Sequence, residues 1–454
     1  MRPGYLWLAS FAVFPLVGAP LVKHPAFRGF GLACRIVLAG AVGAVVLSWT
    51  MTVFALAGVR WGPPLLLVSV AVAFVLRRLL RGDHGNVPSP RTRGEGRGEG
   101  RFSLTEALAL AITAISILAA FTATVAARST SLDLLLFWGP KAQQFAAART
   151  IDAAFLSAPF LEYLHVYYPP LVTNVFAFGA MIAGRFPWGA ATLTFPLLLA
   201  ATTIALSGVL RTDTARSAAH STTALAVTAF SLLGIHASVA GNAEPFLLFF
   251  ETLALAVLLT PAAKSAAGQL LAGILFAGAA ASKVEGLPFL AAAVLFFFLV
   301  EPVARRAVGS TLLRLLGPAA LSVGTWLAFG ATRKLFYGYQ SYGRFSEIHW
   351  EHLGSVLAGL GTAFWKAGYA LPFLVPLVVF LATRGKTRRA LLPLGVAVAL
   401  AGFFAFTYLH SETDPKVWIG WSAARVFSPL TALFALAAHR PRTVPEAGDA
   451  RMES

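Results

Sequence analysis

Residues 104–127 read LTEALALAITAISILAAFTATVAA, and after Glu106 no charged residue occurs until Arg128. As an α-helix, an apolar run of about 20 residues is long enough to cross the ~30 Å hydrocarbon core of a membrane. Comparable runs occur at 4–22, 34–58, 62–77, 190–209, 219–239, 245–262, 268–282, 286–300, 313–331, 366–383, 390–408 and 421–438. The pattern predicts an all-α polytopic membrane protein with about 13 transmembrane helices.

The composition supports this class. Of the 454 residues, 57% are hydrophobic and 12% are charged, whereas soluble proteins carry about 25% charged residues. The net charge is +17, but the basic residues cluster in short segments between apolar runs. That placement is typical of loops that face an anionic cytoplasmic leaflet, so we predict no nucleic-acid partner. The single cysteine, Cys34, excludes an intramolecular disulfide.

The Lys/Arg-rich segments also predict an orientation, because such segments stay in the cytoplasm. They lie at 23–35, 77–101, 211–216, 305–314, 384–389 and from 440 onward. The segments predicted to face outward are then 128–169, 240–245, 283–285, 332–365 and 409–420. The apolar runs 170–184 and 190–209 both look helical, yet this orientation permits one net crossing there.

A low-complexity Gly/Arg/Glu segment at 82–102 divides the chain. Such a segment has little to bury, so we expect a disordered cytoplasmic linker. It separates an N-terminal three-span region, 1–81, from a larger bundle at 103–438, and a cytoplasmic tail follows at 439–454. Within the bundle, the outer loop 128–169 is long, aromatic and rich in proline, which predicts amphipathic helices on the membrane surface.

The outer loop holds a first candidate for chemistry in Asp133, which follows closely after a span. A carboxylate at the boundary of water and lipid can take a proton from an acceptor hydroxyl. Asp133 and Lys141 have a spacing that could place them on one helical face, although Pro140 would distort the turn between them. The alternative is an interfacial charge paired with Lys141.

A second candidate is the pair Glu244 and Glu251, seven residues apart and therefore on one helical face. Glu244 stands at the outer end of a predicted span. Ionisable groups inside membranes usually face the bundle interior and mark functional sites. For Glu251, a satisfied polar pair between helices is an equally open interpretation.

Two basic residues are further candidates. Lys283 lies between two apolar runs, where it could bind a phosphate as a point charge or simply pair with Glu285. Arg425 enters the last apolar run four residues after Trp421. Its side chain either reaches back to the interface or points into the bundle towards an anion.

The outer segment 332–365 combines Arg333 and Arg344 with several tyrosines. Arginines with aromatic residues suit a sugar or a lipid phosphate, and they equally suit an aromatic belt at the membrane interface. The segment also contains His349 and His352, but they lack the pattern of a metalloprotease-type zinc site. We therefore predict no metal site at these two histidines.

Taken in order, these segments resemble the GT-C-fold polytopic glycosyltransferases. That superfamily includes protein O-mannosyltransferases and the enzymes that add aminoarabinose to lipid A, and the chain looks most like a bacterial branch of it. In this branch an aspartate precedes an aromatic-Trp-x-x-Lys-Ala segment, and a Tyr-Pro-Pro-Leu turn opens the next span. The matching residues here are Asp133, 137–142 and 168–171, followed by Glu244, the turn 282–286 and the segment 418–425.

The resemblance covers roughly 104–438 and implies a GT-C-like bundle in the bacterial inner membrane, with its active site on the outer face. There a sugar would pass, with inversion, from a polyprenyl phosphate to a hydroxyl of a lipid, glycan or protein acceptor. Asp133 would act as general base, and Lys283, with Arg425 or Arg344, would hold the leaving phosphate. The other residues expected to bind substrate are Lys141, Glu244 and Glu285. Family members with a lone aspartate generally resemble metal-independent enzymes, so the resemblance implies no metal and no cofactor.

The sequence also departs from the family pattern. Protein O-mannosyltransferases carry Asp-Glu where Leu134 here follows Asp133, and the three N-terminal spans are additional. The identities of donor and acceptor therefore do not follow from the resemblance.

A transporter or flippase of a lipid-linked or small-molecule substrate is the main alternative. It would be expected to show broken helices in matched halves or charges near mid-span, and of the candidates above Glu251 comes nearest to mid-span. A non-catalytic scaffold has no need to place acids and bases together outside the bundle.

Overall fold

The computed structural model describes residues 3–80, 103–127, 131–158, 164–335, 347–366 and 388–439 without 411–413, and a few residues between 374 and 381. These residues form helices, turns and loops, and no strand occurs among them. The predicted all-α class is confirmed. The predicted linker 82–102, Arg344 and the tail beyond 439 lie outside the described residues.

The described α-helices, numbered in chain order, are α1 Pro3–Ser10, α2 Val13–Val22, α3 Leu32–Leu56, α4 Pro63–Leu79, α5 Leu104–Ala126, α6 Gly139–Ala148, α7 Ala153–Leu156, α8 Leu171–Ala183, α9 Trp188–Ala191, α10 Thr194–Leu210, α11 Arg216–Ala240, α12 Glu244–Leu259, α13 Ala266–Ser282, α14 Gly286–Val300, α15 Arg305–Thr332, α16 Leu353–Lys366, α17 Leu391–Leu409, α18 Pro415–Phe427 and α19 Leu430–Ala437. A π-helical turn spans Leu134–Trp138, and short 3-10 turns span Pro25–Phe27, Pro261–Lys264, Trp350–His352 and Arg388–Ala390.

Several helices have the length and apolar composition needed to cross a membrane. Among the described residues there are six such spans: Pro3–Val22, Leu32–Leu56, Leu104–Ala126, Trp188–Leu210, Arg305–Thr332 and Leu391–Leu409. The bent pair α18 and α19 makes a seventh if it counts as one span. The chain therefore has the character of an integral membrane protein, and the count of about 13 spans is not confirmed.

Helix length explains part of the difference in count, and the predicted span 366–383 lies mostly outside the described residues. Helices α12, α13 and α14 have 16, 17 and 15 residues, or about 22–26 Å at 1.5 Å per residue. They fall short of the ~30 Å hydrocarbon core. The same criterion separates the runs 170–184 and 190–209, since α8 has only 13 residues whereas Trp188–Leu210 is long enough to span.

The N-terminal helices pack directly against the rest of the bundle. Helix α3 contacts α8, α10, α13 and α15. The buried Asn174 amide of α8 donates to the Ser48 carbonyl oxygen of α3 at 3.1 Å, and Trp49 Nε1 donates to Thr325 Oγ1 of α15 at 3.0 Å. Polar groups that pair across helices in this way hold a membrane bundle together where lipid supplies no hydrophobic driving force.

Helices α5, α11, α12, α14 and α17 run between two polar ends of the bundle. At one end, Arg216 pairs with Glu106, and Arg389 lies 3.1 Å from Asp213 Oδ2 and 3.6 Å from Glu301 Oε1. We call this the basic end. At the other end, Asp133 and Lys283 lie near Glu244 at the start of α12. We call this the site end. At the basic end, Arg216 and Arg389 belong to segments predicted to face the cytoplasm, and at the site end Asp133, Glu244 and Lys283 belong to segments predicted to face outward.

Candidate functional site

Asp133 is placed at the site end by an unusual turn. It immediately precedes the π-helical turn Leu134–Trp138, and such turns occur frequently at functional sites. A π turn is wider than an α turn, so it changes which residues share a helical face. Asp133 and Lys141, which the spacing could place on one face, have different surroundings: Lys141 Nζ donates to the Leu164 carbonyl oxygen, whereas Asp133 lies beside Arg425.

A turn at Gly241 brings a second segment of the chain, the one between α11 and α12, against Asp133. Gly241 has φ +70°, a conformation that glycine adopts without steric cost. A Cβ atom there would collide with Ser131 Oγ and with the backbone nitrogen of Leu134. Oriented with its nitrogen towards the carboxylate, the next residue, Asn242, donates to Asp133 Oδ2 at 2.5 Å and Oδ1 at 3.3 Å. This orientation satisfies both groups.

Four more charged residues complete the site. Lys283 Nζ lies 2.9 Å from Glu244 Oε1 and 2.8 Å from Glu285 Oε1. Arg425 Nη1 lies 3.4 Å from Asp133 Oδ2, and its Nε lies 3.9 Å from Glu244 Oε1. Asp133, Glu244, Lys283, Glu285 and Arg425 are hereafter the charge cluster. It contains three carboxylates and two cations.

Several atoms of the charge cluster are buried without a hydrogen-bond partner among the described residues. They are Glu244 Oε2, Glu285 Oε2 and Arg425 Nε. A buried polar atom without a partner costs about 1–3 kcal/mol, and native structures contain few of them. Such unsatisfied atoms, gathered in one place beside a cavity, are typical of a ligand site.

The surroundings of Asp133 move the pKa of its carboxyl group towards neutrality. Burial raises the pKa of Asp133 to about 6, Arg425 opposes the rise, and Glu244 adds to it. A general base works best when its pKa lies near the operating pH. Burial alone would lower the pKa of Lys283, but Glu244 and Glu285 raise it above its usual value, so Lys283 stays charged.

A cavity of about 520 Å³ adjoins the cluster, which is within the size range of small-molecule sites. Lys283, Glu285 and Arg425 form its charged wall, and Leu287, Pro288, Leu327, Phe403 and Phe404 form an apolar wall. Its aromatic and hydroxyl side chains are Tyr167, Tyr168, Tyr408, Trp418, Thr407 and Ser422. The cavity can therefore take a ligand with an apolar part, a polar part and a charge.

A second cavity of about 10 Å³ lies deeper and is lined by Glu244, Glu251, Lys283 and Glu285 among others. Its size is near that of a single water molecule. Glu251 is thus a neighbour of the charge cluster, two helical turns along α12 from Glu244, and it does not line the larger cavity.

Lys141 belongs to a different environment. It is 4% exposed, its Nζ donates to the Leu164 carbonyl oxygen at 2.8 Å, and it lies 4.7 Å from the centre of the Trp138 ring. Burial lowers its pKa to about 7. The Trp138 ring stacks on Tyr168 at 5.9 Å, so Lys141 supports the cavity wall through an aromatic neighbour.

The sequence-predicted residues therefore divide into three sets. Those that the structure brings together are Asp133, Glu244, Lys283, Glu285 and Arg425. Lys141 lies apart, and Arg344 is outside the described residues. Among the described residues, no group of three or more His, Cys, Asp or Glu side chains could hold a metal ion.

Sequence reasoning missed the uncharged members of the site, above all Asn242, Tyr408 and Ser422. Tyr408 Oη and Ser422 Oγ are 2.8 Å apart in the cavity wall. The sequence could have pointed to Asn242, because this residue stands two positions before Glu244 in a Gly-Asn-Ala-Glu-Pro turn at the outer end of a predicted span.

Comparisons of the chain with protein-family models, with curated proteins and with solved structures find no match. The function is therefore argued from the geometry of the site.

Proposed function

We propose that the protein is a membrane glycosyltransferase that moves a sugar from a polyprenyl-phosphate donor to an outward-facing acceptor hydroxyl with inversion. One observation carries the proposal: a carboxylate with a pKa near neutrality shares an ion network with two cations that line an aromatic and apolar cavity. A general base, an anion-binding pair and room for a lipid-linked sugar are the parts that this reaction requires.

In the proposed reaction, Asp133 takes the proton from the acceptor hydroxyl. The acceptor oxygen then forms a bond to the anomeric carbon on the face opposite the phosphate. The bond from that carbon to the phosphate oxygen breaks, and its electron pair leaves with the phosphate. Lys283 and Arg425 stabilise the charge that develops on the leaving group, which in a low-dielectric site lowers the barrier substantially.

The proposal includes the setting. The bundle would be GT-C-like with about 13 spans, it would lie in the bacterial inner membrane, and its site end would face outward. The apolar wall at Leu287 and Leu327 would receive the polyprenyl chain, and the aromatic residues Tyr168 and Trp418 would contact the sugar. The acceptor would be a lipid, glycan or protein.

The first test compares the purified protein with its Asp133→Asn variant, using radiolabelled polyprenyl-phosphate sugars and membrane extract as acceptor. We expect transfer by the wild type and a loss of at least about 100-fold in the variant, as general-base catalysis contributes 10²–10⁴-fold. Asp152→Asn is the matched control, because Asp152 lies in the same loop but caps α7 through Phe155 N. Unchanged transfer in Asp133→Asn would exclude Asp133 as the base.

One observation favours a second function. Helices α18 and α19 bend by 40° directly beyond Arg425, and broken helices line the substrate sites of many transporters. The alternative is therefore a transporter or flippase that binds its substrate at the same cavity. No turnover of any donor, combined with flux of a lipid-linked sugar in proteoliposomes, would favour it.

A further inference from the structure

The two carboxylates that contact Lys283 differ in their surroundings. Glu244 is 1% exposed, and its Oε1 lies near both Lys283 and Arg425. Glu285 is 17% exposed and has Lys283 as its ion-pair partner. Glu285 also lines the 520 Å³ cavity, whereas Glu244 lines only the small one. Glu285 therefore lies where a ligand that enters the cavity would meet Lys283.

The charge balance of the cluster is unfavourable for a further anion. With Asp133, Glu244 and Glu285 ionised, the three carboxylates exceed the two cations by one charge, and each cation already has a carboxylate within 3.4 Å. Like charges in a partly buried site repel strongly. A substrate phosphate can contact Lys283 at low cost only if one carboxylate moves away.

Glu285 is the carboxylate that can leave. It stands at the N-terminal boundary of α14, and its side chain makes no capping hydrogen bond there. Its Oε2 has no hydrogen-bond partner among the described residues, so only the contact with Lys283 is lost. Glu244, by contrast, is buried between two cations, so its displacement would break its contacts with both Lys283 and Arg425.

We infer that Glu285 is an internal anion that occupies Lys283 before substrate binds and is displaced by the substrate phosphate. The inference rests on the proposed function, because it assumes a substrate that presents an anion to Lys283. Glu285 then acts as a specificity residue: a neutral glycoside cannot displace it, and the affinity for an anionic ligand is reduced by the fraction of Lys283 that Glu285 holds.

The test measures the binding of geranyl phosphate, a phosphate ester with an apolar tail, to the full chain in detergent by calorimetry. We expect Glu285→Gln to bind about tenfold more tightly than the wild type, because the competitor is neutralised. Lys283→Gln should lose binding. Glu351→Gln, a change at an exposed glutamate away from the cavity, should bind like the wild type.

Two further variants separate displacement from a general effect of charge. Glu244→Gln removes the same charge near Lys283, so a purely electrostatic effect would tighten binding in it as much as in Glu285→Gln. Glu285→Asp keeps the charge but shortens the side chain, so displacement predicts tighter binding and electrostatics predicts no change. We expect tightening in both Glu285 variants and none in Glu244→Gln.

The inference would be overturned if both Glu285 variants bound geranyl phosphate no more tightly than the wild type while their thermal unfolding matched that of the wild type. Equal tightening in Glu244→Gln and Glu285→Gln, or the absence of binding in every variant, would also overturn it. The proposed function fails separately. If no sugar is transferred but the Glu285 variants still bind geranyl phosphate more tightly, the inference about Glu285 is supported and the protein has a function other than glycosyl transfer.

Discussion

Asp133 is held by a neutral donor, Asn242, as well as by the cation Arg425. Burial raises the pKa of Asp133 to about 6 against the opposing effect of Arg425, and hydrogen bonds from Asn242 also favour the ionised carboxylate. Because Asn242 contacts the Asp133 carboxylate directly, we regard it as a residue that positions the proposed base and adjusts its proton affinity.

The pH dependence of transfer should report this arrangement. A base must be deprotonated to act, so activity should be present above pH 6 and be lost as the pH falls through about 6. Asn242→Ala removes the amide nitrogen that donates to both oxygens of the ionised carboxylate, and it should move the midpoint upward by about one unit. A midpoint near 4, the value of an ordinary aspartate, would contradict the role of the site in tuning Asp133.

Lys141 supplies a contrasting case, because the sequence suggested a substrate contact and the structure gives a buried amine that binds a backbone oxygen. Lys141→Met should therefore destabilise the protein by about 1–3 kcal/mol, the cost of leaving the Leu164 carbonyl without its donor. The affinity for geranyl phosphate should stay within about twofold of the wild type. A large loss of affinity at unchanged stability would return Lys141 to the binding site.

The charged members of the site were predictable from the sequence because an ionisable residue beside an apolar run is rare and expensive. Asn242, Tyr408 and Ser422 were not, since uncharged polar residues are common in membrane helices and their direction depends on packing. The separate contacts of Asp133 and Lys141 were not predictable either, because nothing in their spacing indicates the π turn at Leu134–Trp138.

Among the secondary-structure elements, the turn at Gly241 is the one that joins α11 to the site. Its left-handed backbone and the absence of a Cβ atom let it lie against Ser131 and Leu134. The contact sets the distance between Asn242 and Asp133.

Gly241→Ala should therefore impair the site beyond the cost of its backbone conformation. An L-residue in that conformation costs about 1–2 kcal/mol, and the added Cβ must also push the Asp133 segment away. The matched control is Gly184→Ala, since Gly184 has φ +75° and open space around it. We expect similar destabilisation in both variants but loss of transfer only in Gly241→Ala, measured by thermal unfolding and donor turnover.

Across the whole bundle, apolar runs in the sequence predict helices well but do not predict which helices are long enough to span the membrane. Residues 104–127 and 34–58 were predicted as spans and form the long helices α5 and α3. The shorter runs were counted as spans too, because hydropathy measures burial from water and does not distinguish lipid from protein. Helices α12 and α13 are buried along their whole length by other helices.

The predicted sidedness of the two polar ends can be measured with single cysteines. Glu351→Cys lies at the site end and Ala304→Cys at the basic end, and both positions are exposed. A membrane-impermeant maleimide added to intact cells should label Glu351→Cys and should reach Ala304→Cys only after permeabilisation. The native Cys34 is buried, so the unmodified protein is the blank. The reverse labelling pattern would turn the site towards the cytoplasm.

The shortness of α12, α13 and α14 has a consequence for the depth of the site. Helices of about 22–26 Å cannot keep both of their ends level with the headgroups of a bilayer whose core is ~30 Å thick. Other helices surround α12 and α13, so the shortfall appears as helix ends that lie below the headgroup plane. Glu244 begins α12 and Lys283 follows α13, so a shortfall at that end would let the proposed lipid-anchored substrate meet both side chains without leaving its leaflet.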